Sequence, residues 1–348
     1  MPRTPPSQPE RLLVVMPTWL GDCVMATPTL RALRQLWPGT HLAALVRDSV
    51  APLLDALPAI DELIEHRKGK AGGPFKLARQ LAAMKFDMAV LLPNSFRTAA
   101  LAAMSGIPRR VGYERDGRGV LLTDRLVPRK DKGRYLPVPT LDYYLGLARY
   151  LGSVDPDPAM TLATRPEDES RAGQLLHDLG HGDDATRPLV LLNPGAQKVT
   201  KRWPVERFAA LGDRLRSDFG ADIAVTGAPA EREVLDAVIA ASNGPILDLP
   251  AKGMDLRLLK AVTRRCDLMV TNDTGPRHIA AAFGVPVVTL FGPTGPEWTQ
   301  IFFEKERMVI APGEVDPSGE SDRKHPKRHM GLIEVDQVYQ AAGELLSS

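Results

Sequence analysis

Short apolar runs alternate with amphipathic segments along the first half of the chain. Residues 11–16 (RLLVVM) form such a run, and after a loop a helical pattern extends to about Trp37. The strand pattern returns at 40–46 and at 88–92, with a helical stretch at 74–85 between them. Continuous apolar runs separated by helices predict a parallel sheet with helices on both faces.

The same alternation starts again in the second half. We predict four strands, at residues 189–192, 222–225, 268–271 and 285–291. Helical patterns separate them, among them 205–219 and 231–241. The chain is therefore predicted to be α/β, with two Rossmann-like domains that face each other across a cleft.

Polar and proline-rich segments give the domain limits. We expect a flexible tail at 1–10, an N-terminal Rossmann-like domain at 11–160 and a C-terminal one at 161–334. The last segment, 335–348, is predicted to be an amphipathic helix that packs back on the domains. A chain of 348 residues is long enough for two such cores.

Composition limits the functional classes. A net charge of +2, from 44 basic and 42 acidic residues, does not suggest a nucleic-acid partner. The two cysteines lie far apart in sequence and indicate a reducing compartment. Residues 1–10 lack the apolar stretch of a secretory signal, and no apolar run reaches the roughly 20 residues of a membrane span. We expect a cytoplasmic protein, in peripheral contact with a membrane surface at most.

Ligands of open parallel sheets bind outside the carboxyl ends of the strands, so the loops there are candidate sites. Gly21 and Asp22 follow the first strand at a helix start. Asp22 is either a helix cap or a carboxylate that takes a proton from an acceptor hydroxyl. The residue types alone leave both interpretations open.

The loops of the second half carry further polar groups. Lys201 and Arg202 precede a helix, and two basic residues at a helix start are ordinarily a solvated pair. A cation is nevertheless unfavourable there, and a bound anion would explain the position. Glu231 opens another helix, and it either complements the helix dipole or accepts hydrogen bonds from ribose hydroxyls. These two interpretations are equally supported.

The segment Asn272-Asp273-Thr274-Gly275 lies between a predicted strand and a helix, where free backbone amides bind anions. His278 on that helix is more often a packed residue than a catalyst. Asp-Thr-Gly is also a protease signature, but those enzymes are β-rich and need a second carboxylate, whereas this chain has no second such triplet.

Other motifs are absent or weak. The chain has no Gly-x-Gly-x-x-Gly after the first strand and no Walker A loop, which disfavours a nicotinamide dehydrogenase. Asp155-Pro156-Asp157 has the carboxylate spacing that metal-dependent transferases use, but its prolines and its place in the predicted linker indicate a turn. No His/Cys cluster offers another metal site. Four basic clusters could receive an acidic acceptor or lie against anionic headgroups. They are Arg67-Lys68-Lys70, Arg109-Arg110, Arg115-Arg118 and Arg129-Lys130-Lys132-Arg134.

Six segments, in the same order along residues 11–345, resemble the ADP-heptose:lipopolysaccharide heptosyltransferases of glycosyltransferase family 9, nearest the heptosyltransferase II branch. They are PTWLGD at 17–22, LPNSF at 92–96, GIPRRVGY at 106–113, NPGA at 193–196, KRWP at 201–204 and NDTG at 272–275. The resemblance implies a GT-B fold and an inverting, metal-independent transfer of L-glycero-D-manno-heptose from ADP-heptose to the lipopolysaccharide inner core. The implied acceptor is heptosyl-Kdo-lipid A or a similar core, and no cofactor is expected.

The resemblance also implies roles for individual residues. Asp22 matches the general base and Lys201 the lysine that meets the donor diphosphate, while Asp273 matches an aspartate that contacts the heptose. The predicted donor-binding set is Thr18, Gly21, Asn193, Gly195, Thr200, Lys201, Gly227, Glu231, Asp273, Thr274, Gly275 and His278. The predicted acceptor-binding set is Asn94, Ser95, Arg97, Arg109 and Arg110.

Two departures from the family pattern stand out. Pro276-Arg277 stands where many members carry apolar residues, and His329-Met330-Gly331 stands where the tail often has a cysteine. Two other functions remain open: a related transferase that uses another nucleotide-sugar, and a non-catalytic nucleotide-binding module of the same fold.

Overall fold

The structure is a computed structural model, and it describes residues 7–67, 73–182, 187–313 and 328–347. Residues 1–6 of the predicted tail, and Lys68 and Lys70 of the first basic cluster, lie outside the described residues. The chain divides into two compact units. The first contains residues up to Ala163 together with Glu297–Phe302, and the second contains Thr164–Pro296 and the chain from Phe303 onward. The sequence does not predict the return of Glu297–Phe302 to the first unit.

The first unit has a six-stranded parallel sheet in the order β3-β2-β1-β4-β5-β6. Its strands are β1 Arg11–Val15, β2 His41–Arg47, β3 Glu62–His66, β4 Met88–Leu91, β5 Arg109–Tyr113 and β6 Asp124–Leu126. A two-stranded hairpin, β7 Lys130–Asp131 with β8 Arg134–Tyr135, follows. The helices are α1 Leu20–Met25, α2 Thr27–Leu36, α3 Ala51–Leu54, α4 Gly73–Ala83, α5 Phe96–Met104 and α6 Thr140–Leu151.

The second unit repeats this order as β11-β10-β9-β12-β13-β14, again in parallel pairs. Its strands are β9 Leu189–Asn193, β10 Asp222–Val225, β11 Leu247–Asp248, β12 Leu268–Asn272, β13 Val287–Phe291 and β14 Glu306–Ile310. The helices are α7 Pro166–Asp178, α8 Val205–Phe219, α9 Arg232–Ala241, α10 Leu256–Arg264, α11 Gly275–Ala282 and α12 Val335–Leu346.

Buried apolar strands explain why these elements form. Every residue of β9, β12 and β13 is buried, and only Arg11 of β1 is partly accessible. Because both faces of such strands must be covered, helices pack on each side of the sheet. In the second unit α12 belongs to that cover, with Val338, Ala342 and Leu345 in the core beside α8.

Both sheets have the strand order of a Rossmann fold, and its direction reverses between two strands. In the first unit the reversal lies between β1 and β4, and in the second it lies between β9 and β12. Ligands of this fold bind where the order reverses. The loops after these four strands are therefore where each unit can bind a ligand, and they carry most of the predicted site residues.

Candidate functional site

Asp22 lies in the first turn of α1, directly after the loop that follows β1. The helix cap is Trp19, whose side chain makes no capping bond, so Asp22 is not the N-cap residue. Within the described residues, no cation forms an ion pair with its carboxylate. Burial raises the pKa of Asp22 from 3.8 to about 6. Such a carboxylate can accept a proton close to neutral pH.

Asp22 borders a cavity of about 690 Å³ inside the first unit. A volume of this size is typical of small-molecule sites. Aromatic and charged side chains dominate the wall. Besides Asp22 and Asn94, the polar and aromatic lining comprises Tyr113, Arg115, Arg129, Tyr135, Thr140, Asp142, Tyr143, Tyr144, Arg149 and Trp298.

Hydrogen bonds and ring stacking hold one wall of this cavity in place. The rings of Tyr113 and Tyr143 stack with centroids 3.8 Å apart. The Tyr143 hydroxyl donates to Asn94 Oδ1 at 3.1 Å, and Arg118 Nη2 donates to the same oxygen at 3.3 Å. Arg118 is fully buried, which lowers its pKa to about 10. This basic residue therefore supports the wall rather than lying in solvent.

Three arginines bring positive charge to the cavity. Arg149 forms an ion pair with Asp142 at 3.2 Å, so its charge is locally balanced. Arg115 stacks over the Tyr135 ring at 4.1 Å, and Arg129 is another lining residue of the cavity. The excess of cations favours a ligand that carries an anionic group.

The predicted acceptor residues have different environments. Asn94 lines the cavity. Ser95 is the N-cap of α5 and accepts from Thr98 N at 3.3 Å, and Arg97 on the same helix is exposed. Arg109 forms an ion pair with Asp124 at 2.7 Å, while Arg110 Nε donates to the Leu121 carbonyl at 2.7 Å. The last four do not line the cavity, and their acceptor role stays a prediction.

Sequence reasoning did not find the aromatic side of this cavity. Arg115 and Arg129 belong to basic clusters that the sequence shows, but the tyrosines come from separate segments. Tyr113 ends β5, Tyr135 belongs to β8 and Tyr143 lies in α6. The adjacent pair Tyr143-Tyr144, at the start of an amphipathic helix, was the available signal for an aromatic wall.

In the second unit, two asparagines join the loops after β9 and β12. Asn193 Nδ2 donates to the hydroxyl oxygens of Thr271 at 2.9 Å and Thr274 at 3.0 Å. Asn272 Nδ2 donates to the carbonyls of Pro194 at 2.8 Å and Gly195 at 3.2 Å. These bonds fix the two loops against each other at the point where the strand order reverses.

Charged groups meet on these loops. Lys201, at the end of a short 3₁₀ helix that includes Thr200, donates from Nζ to Asp273 Oδ2 at 2.8 Å. Arg277 Nη1 donates to the other oxygen, Oδ1, at 3.2 Å. Although burial alone would raise the pKa of Asp273, Lys201 and Arg277 lower it below its ordinary value. The sequence predicts an anion beside Lys201, and in this structure the anion that Lys201 contacts is the Asp273 carboxylate.

Glu231 extends its carboxylate over the loop after β9. A Cβ atom added to Gly195 would come within 2.3 Å of that carboxylate, and one added to Gly227 would lie 3.2 Å from it. Glu231 Oε2 also accepts from Ala228 N at 2.8 Å. Glu231 therefore bonds a backbone amide at its own helix start, as the dipole interpretation expects, while its carboxylate remains close to the glycine loop.

The helix α11 begins at Gly275, with Thr274 as its cap and Pro276 in its first turn. Amides at such a start can bind an anion. His278 is only 3% exposed, and burial lowers its pKa to about 3, so it is neutral at physiological pH. Its Nδ1 has no partner among the described residues. This burial agrees with the interpretation of His278 as a packed residue.

In the part of the chain that the structure describes, no group of three or more His, Cys, Asp or Glu residues could hold a metal ion. Asp157 of the Asp-Pro-Asp segment accepts hydrogen bonds from Arg31 at 2.8 Å and from the backbone amide of Ala159 at 2.9 Å, as a turn would.

The remaining predicted residues lie in separate places. Thr18 and Gly21 lie partly buried in the first unit, before and within α1. Met330 of the tail is buried in the core of the second unit.

Comparison with known proteins identifies the family. The sequence profile of glycosyltransferase family 9 (heptosyltransferase) matches residues 74–328. The chain belongs to glycosyltransferase family 9. This family 9 enzyme is 29% identical over 316 residues to lipopolysaccharide heptosyltransferase 2 of Escherichia coli K12, covering 86% of this chain and 87% of the relative.

Solved structures agree with that assignment. A family 9 glycosyltransferase from Veillonella parvula superposes with a TM-score of 0.83 at 25% identity, covering 97% of each chain. ADP-heptose lipopolysaccharide heptosyltransferase II of E. coli gives a TM-score of 0.78 at 25% identity, covering 97% of this chain and 98% of that one. The predicted family, the glycosyltransferase activity and the α/β GT-B fold class with two Rossmann-like sheets are thereby confirmed.

Proposed function

We propose that this family 9 enzyme transfers L-glycero-D-manno-heptose from ADP-heptose to the lipopolysaccharide inner core, with inversion and without a metal ion. Its acceptor is heptosyl-Kdo-lipid A or a similar core. The observation that carries the proposal is Asp22, a carboxylate with a pKa near 6 at the wall of a cavity large enough for sugars. The names of the related heptosyltransferases support the choice of donor and acceptor.

Asp22 is the general base of the proposed reaction. It takes the proton of an acceptor hydroxyl, and the oxygen attacks the anomeric carbon of the donor as the bond to ADP breaks. A base that activates the acceptor directly requires one displacement, and a single displacement inverts the anomeric configuration. A pKa near the operating pH suits this role because the base is then unprotonated yet still a good proton acceptor.

The second unit binds the donor in this proposal. Lys201 and the amides at the start of α11 stabilise the diphosphate that leaves, and Glu231 accepts hydrogen bonds from the ribose. Asp273 contacts the heptose. Cations and amides thereby supply the charge stabilisation that a metal ion supplies in other transferases, which supports a metal-independent reaction.

The first unit binds the acceptor. Inner-core sugars are anionic, and Arg115 and Arg129 bring positive charge to the lining of the cavity. We place the enzyme in the cytoplasm. Because the acceptor is anchored to lipid, the enzyme makes peripheral contact with the inner membrane in this proposal. In the described part of the chain, no helix is long and apolar enough to cross a bilayer.

Replacing the base tests the proposal directly. Asp22→Ala and Asp22→Asn should each lower the transfer rate by about 10²- to 10⁴-fold, while ADP affinity stays at the parent level because Asp22 is assigned to the acceptor. Transfer is measured as ADP release from ADP-heptose in the presence of a defined core acceptor. Parent-like transfer by either variant would refute the role of Asp22, and loss of parent activity in EDTA would refute metal independence.

A further inference from the structure

The structure places Arg277 in a buried ionic chain of the second unit. The side chain is 0% exposed. Its Nε and Nη2 donate to the two carboxylate oxygens of Glu306, at 2.6 and 3.0 Å. The remaining nitrogen, Nη1, donates to Asp273 at 3.2 Å. One guanidinium therefore bridges two carboxylates from different elements.

Further contacts fix Arg277 in this orientation. Thr289 on β13 donates its hydroxyl to Glu306 Oε1 at 2.6 Å, which holds the carboxylate that orients the guanidinium. The Arg277 guanidinium also lies 5.1 Å from the centre of the Phe291 ring. A planar guanidinium held on two sides by hydrogen bonds has little freedom to turn away from Asp273.

Lys201 is more accessible to solvent than Arg277. Both cations contact Asp273, but the Lys201 side chain is 21% exposed, and its ammonium group lies at the end of a flexible four-carbon chain. The Asp273 side chain is 7% exposed, so its charge needs a cation nearby in every state. Lys201 can turn toward an arriving phosphate only if another cation continues to balance Asp273.

We propose that Arg277 is a positioning residue, a resident counterion of Asp273 that allows Lys201 to leave that carboxylate for the donor diphosphate. The proposal rests on the donor role given to the second unit under the proposed function. In the free enzyme Lys201 and Arg277 share Asp273. With the donor bound, Arg277 keeps Asp273 ionised and in place while Lys201 contacts the phosphates.

The test measures ADP binding by calorimetry in a paired variant. Arg277→Met is combined with Glu306→Gln, because Arg277→Met alone would leave the buried Glu306 carboxylate unbalanced. Asp273 then depends more on Lys201, and drawing that lysine to ADP becomes costly. We expect the dissociation constant of ADP to rise about tenfold, which corresponds to about 1.4 kcal/mol.

Neutralising Asp273 in the same background separates positioning from structural damage. When Asp273→Asn is added to Arg277→Met and Glu306→Gln, Lys201 loses the one carboxylate that it bonds among the described residues, so ADP affinity should return to within about threefold of the parent. A merely structural role of Arg277 would not be reversed by a third substitution. A triple variant that is folded but binds ADP as weakly as the double variant would overturn the proposal.

A matched control and a second variant complete the design. Arg216→Met with Asp213→Asn removes another ion pair of the same unit, 2.8 Å long, and should leave ADP affinity unchanged. If the Arg277 variants do not fold, Asp273→Asn alone still decides, because releasing Lys201 should keep ADP binding as tight as in the parent or tighter. Binding about tenfold weaker in that variant would contradict the proposal.

The outcomes also distinguish this inference from the proposed function. If the parent enzyme does not bind ADP, both the donor role of the second unit and the positioning role of Arg277 are wrong. If the parent binds ADP and the Arg277→Met, Glu306→Gln variant binds it equally well, only the positioning role is wrong.

Discussion

Asp22→Asn should make the protein more stable at pH 8 than the parent, although it removes the proposed base. Burial holds the folded-state pKa at about 6, against 3.8 for a free aspartate. A carboxyl with a raised pKa stabilises the fold fully below pH 3.8, and that contribution is lost as the pH rises through 6. Two pKa units correspond to about 3 kcal/mol, and partial exposure at the cavity makes about 2 kcal/mol a more realistic expectation.

The comparison of two pH values isolates this effect. Urea unfolding at pH 4 and pH 8 gives the free energy of unfolding of the parent and Asp22→Asn, and the advantage of the variant should grow by about 2 kcal/mol between them. Tryptophan fluorescence follows mainly the first unit, which contains Trp19, Trp37 and Trp298 of the four tryptophans.

Asp61 in the same unit is the matched control with the opposite sign. Although burial alone would raise the pKa of Asp61, hydrogen bonds from Leu42 and Arg34 lower it below 3.8. Its stabilising effect is therefore present above pH 3.8 and is lost in acid, so Asp61→Asn should cost at least as much at pH 8 as at pH 4. If Asp22→Asn has the same effect on stability at both pH values, the pKa of Asp22 is not raised by burial.

Three further predictions concern the reaction. The kcat/KM of transfer should rise with pH through about 6 and level off above it, because Asp22 must be unprotonated to act as the base. A flat kcat/KM profile between pH 5 and 8 would contradict the base assignment. Gly195→Ala should displace the Glu231 carboxylate, so calorimetry should show about the same loss of ADP affinity as for Glu231→Gln. The free energy of unfolding should change by less than about 1 kcal/mol. Unchanged ADP affinity would show that Glu231 does not belong to the proposed donor site. Arg115→Met should raise the acceptor KM about tenfold and leave the ADP-heptose KM unchanged, whereas a rise in the donor KM alone would remove Arg115 from the acceptor cavity.

The strands that the sequence predicts are those buried on both faces. Runs such as 189–192 and 268–271 have no polar interruption, because helices cover both sides of the sheet. β5 and β14 were missed because each begins with charged residues. Those charges are balanced by partners far away in sequence, Arg109 by Asp124 and Glu306 by Arg277, and pairing of this kind leaves no local pattern.

The candidate site, like the strands, is predicted from the sequence only in part. Asp22, Lys201 and Asp273 could be named as candidates because each follows a strand at the end where Rossmann folds bind ligands, and their roles stay predictions. The approach of Lys201 to Asp273 joins residues 72 positions apart, and it depends on β9 and β12 being neighbours in the sheet. The tyrosine wall of the cavity likewise depends on how β5, β8 and α6 fold together, which no single segment encodes.

The most direct test of the account is to identify the product made by the purified enzyme. ADP-heptose and heptosyl-Kdo-lipid A are incubated with the parent enzyme and with Asp22→Ala, and the products are analysed by mass spectrometry and NMR. We predict that the parent adds one heptose, linked with the anomeric configuration opposite to that of the donor, and that Asp22→Ala adds almost none in the same time. A product with retained configuration, or no heptose transfer by the parent, would contradict the account.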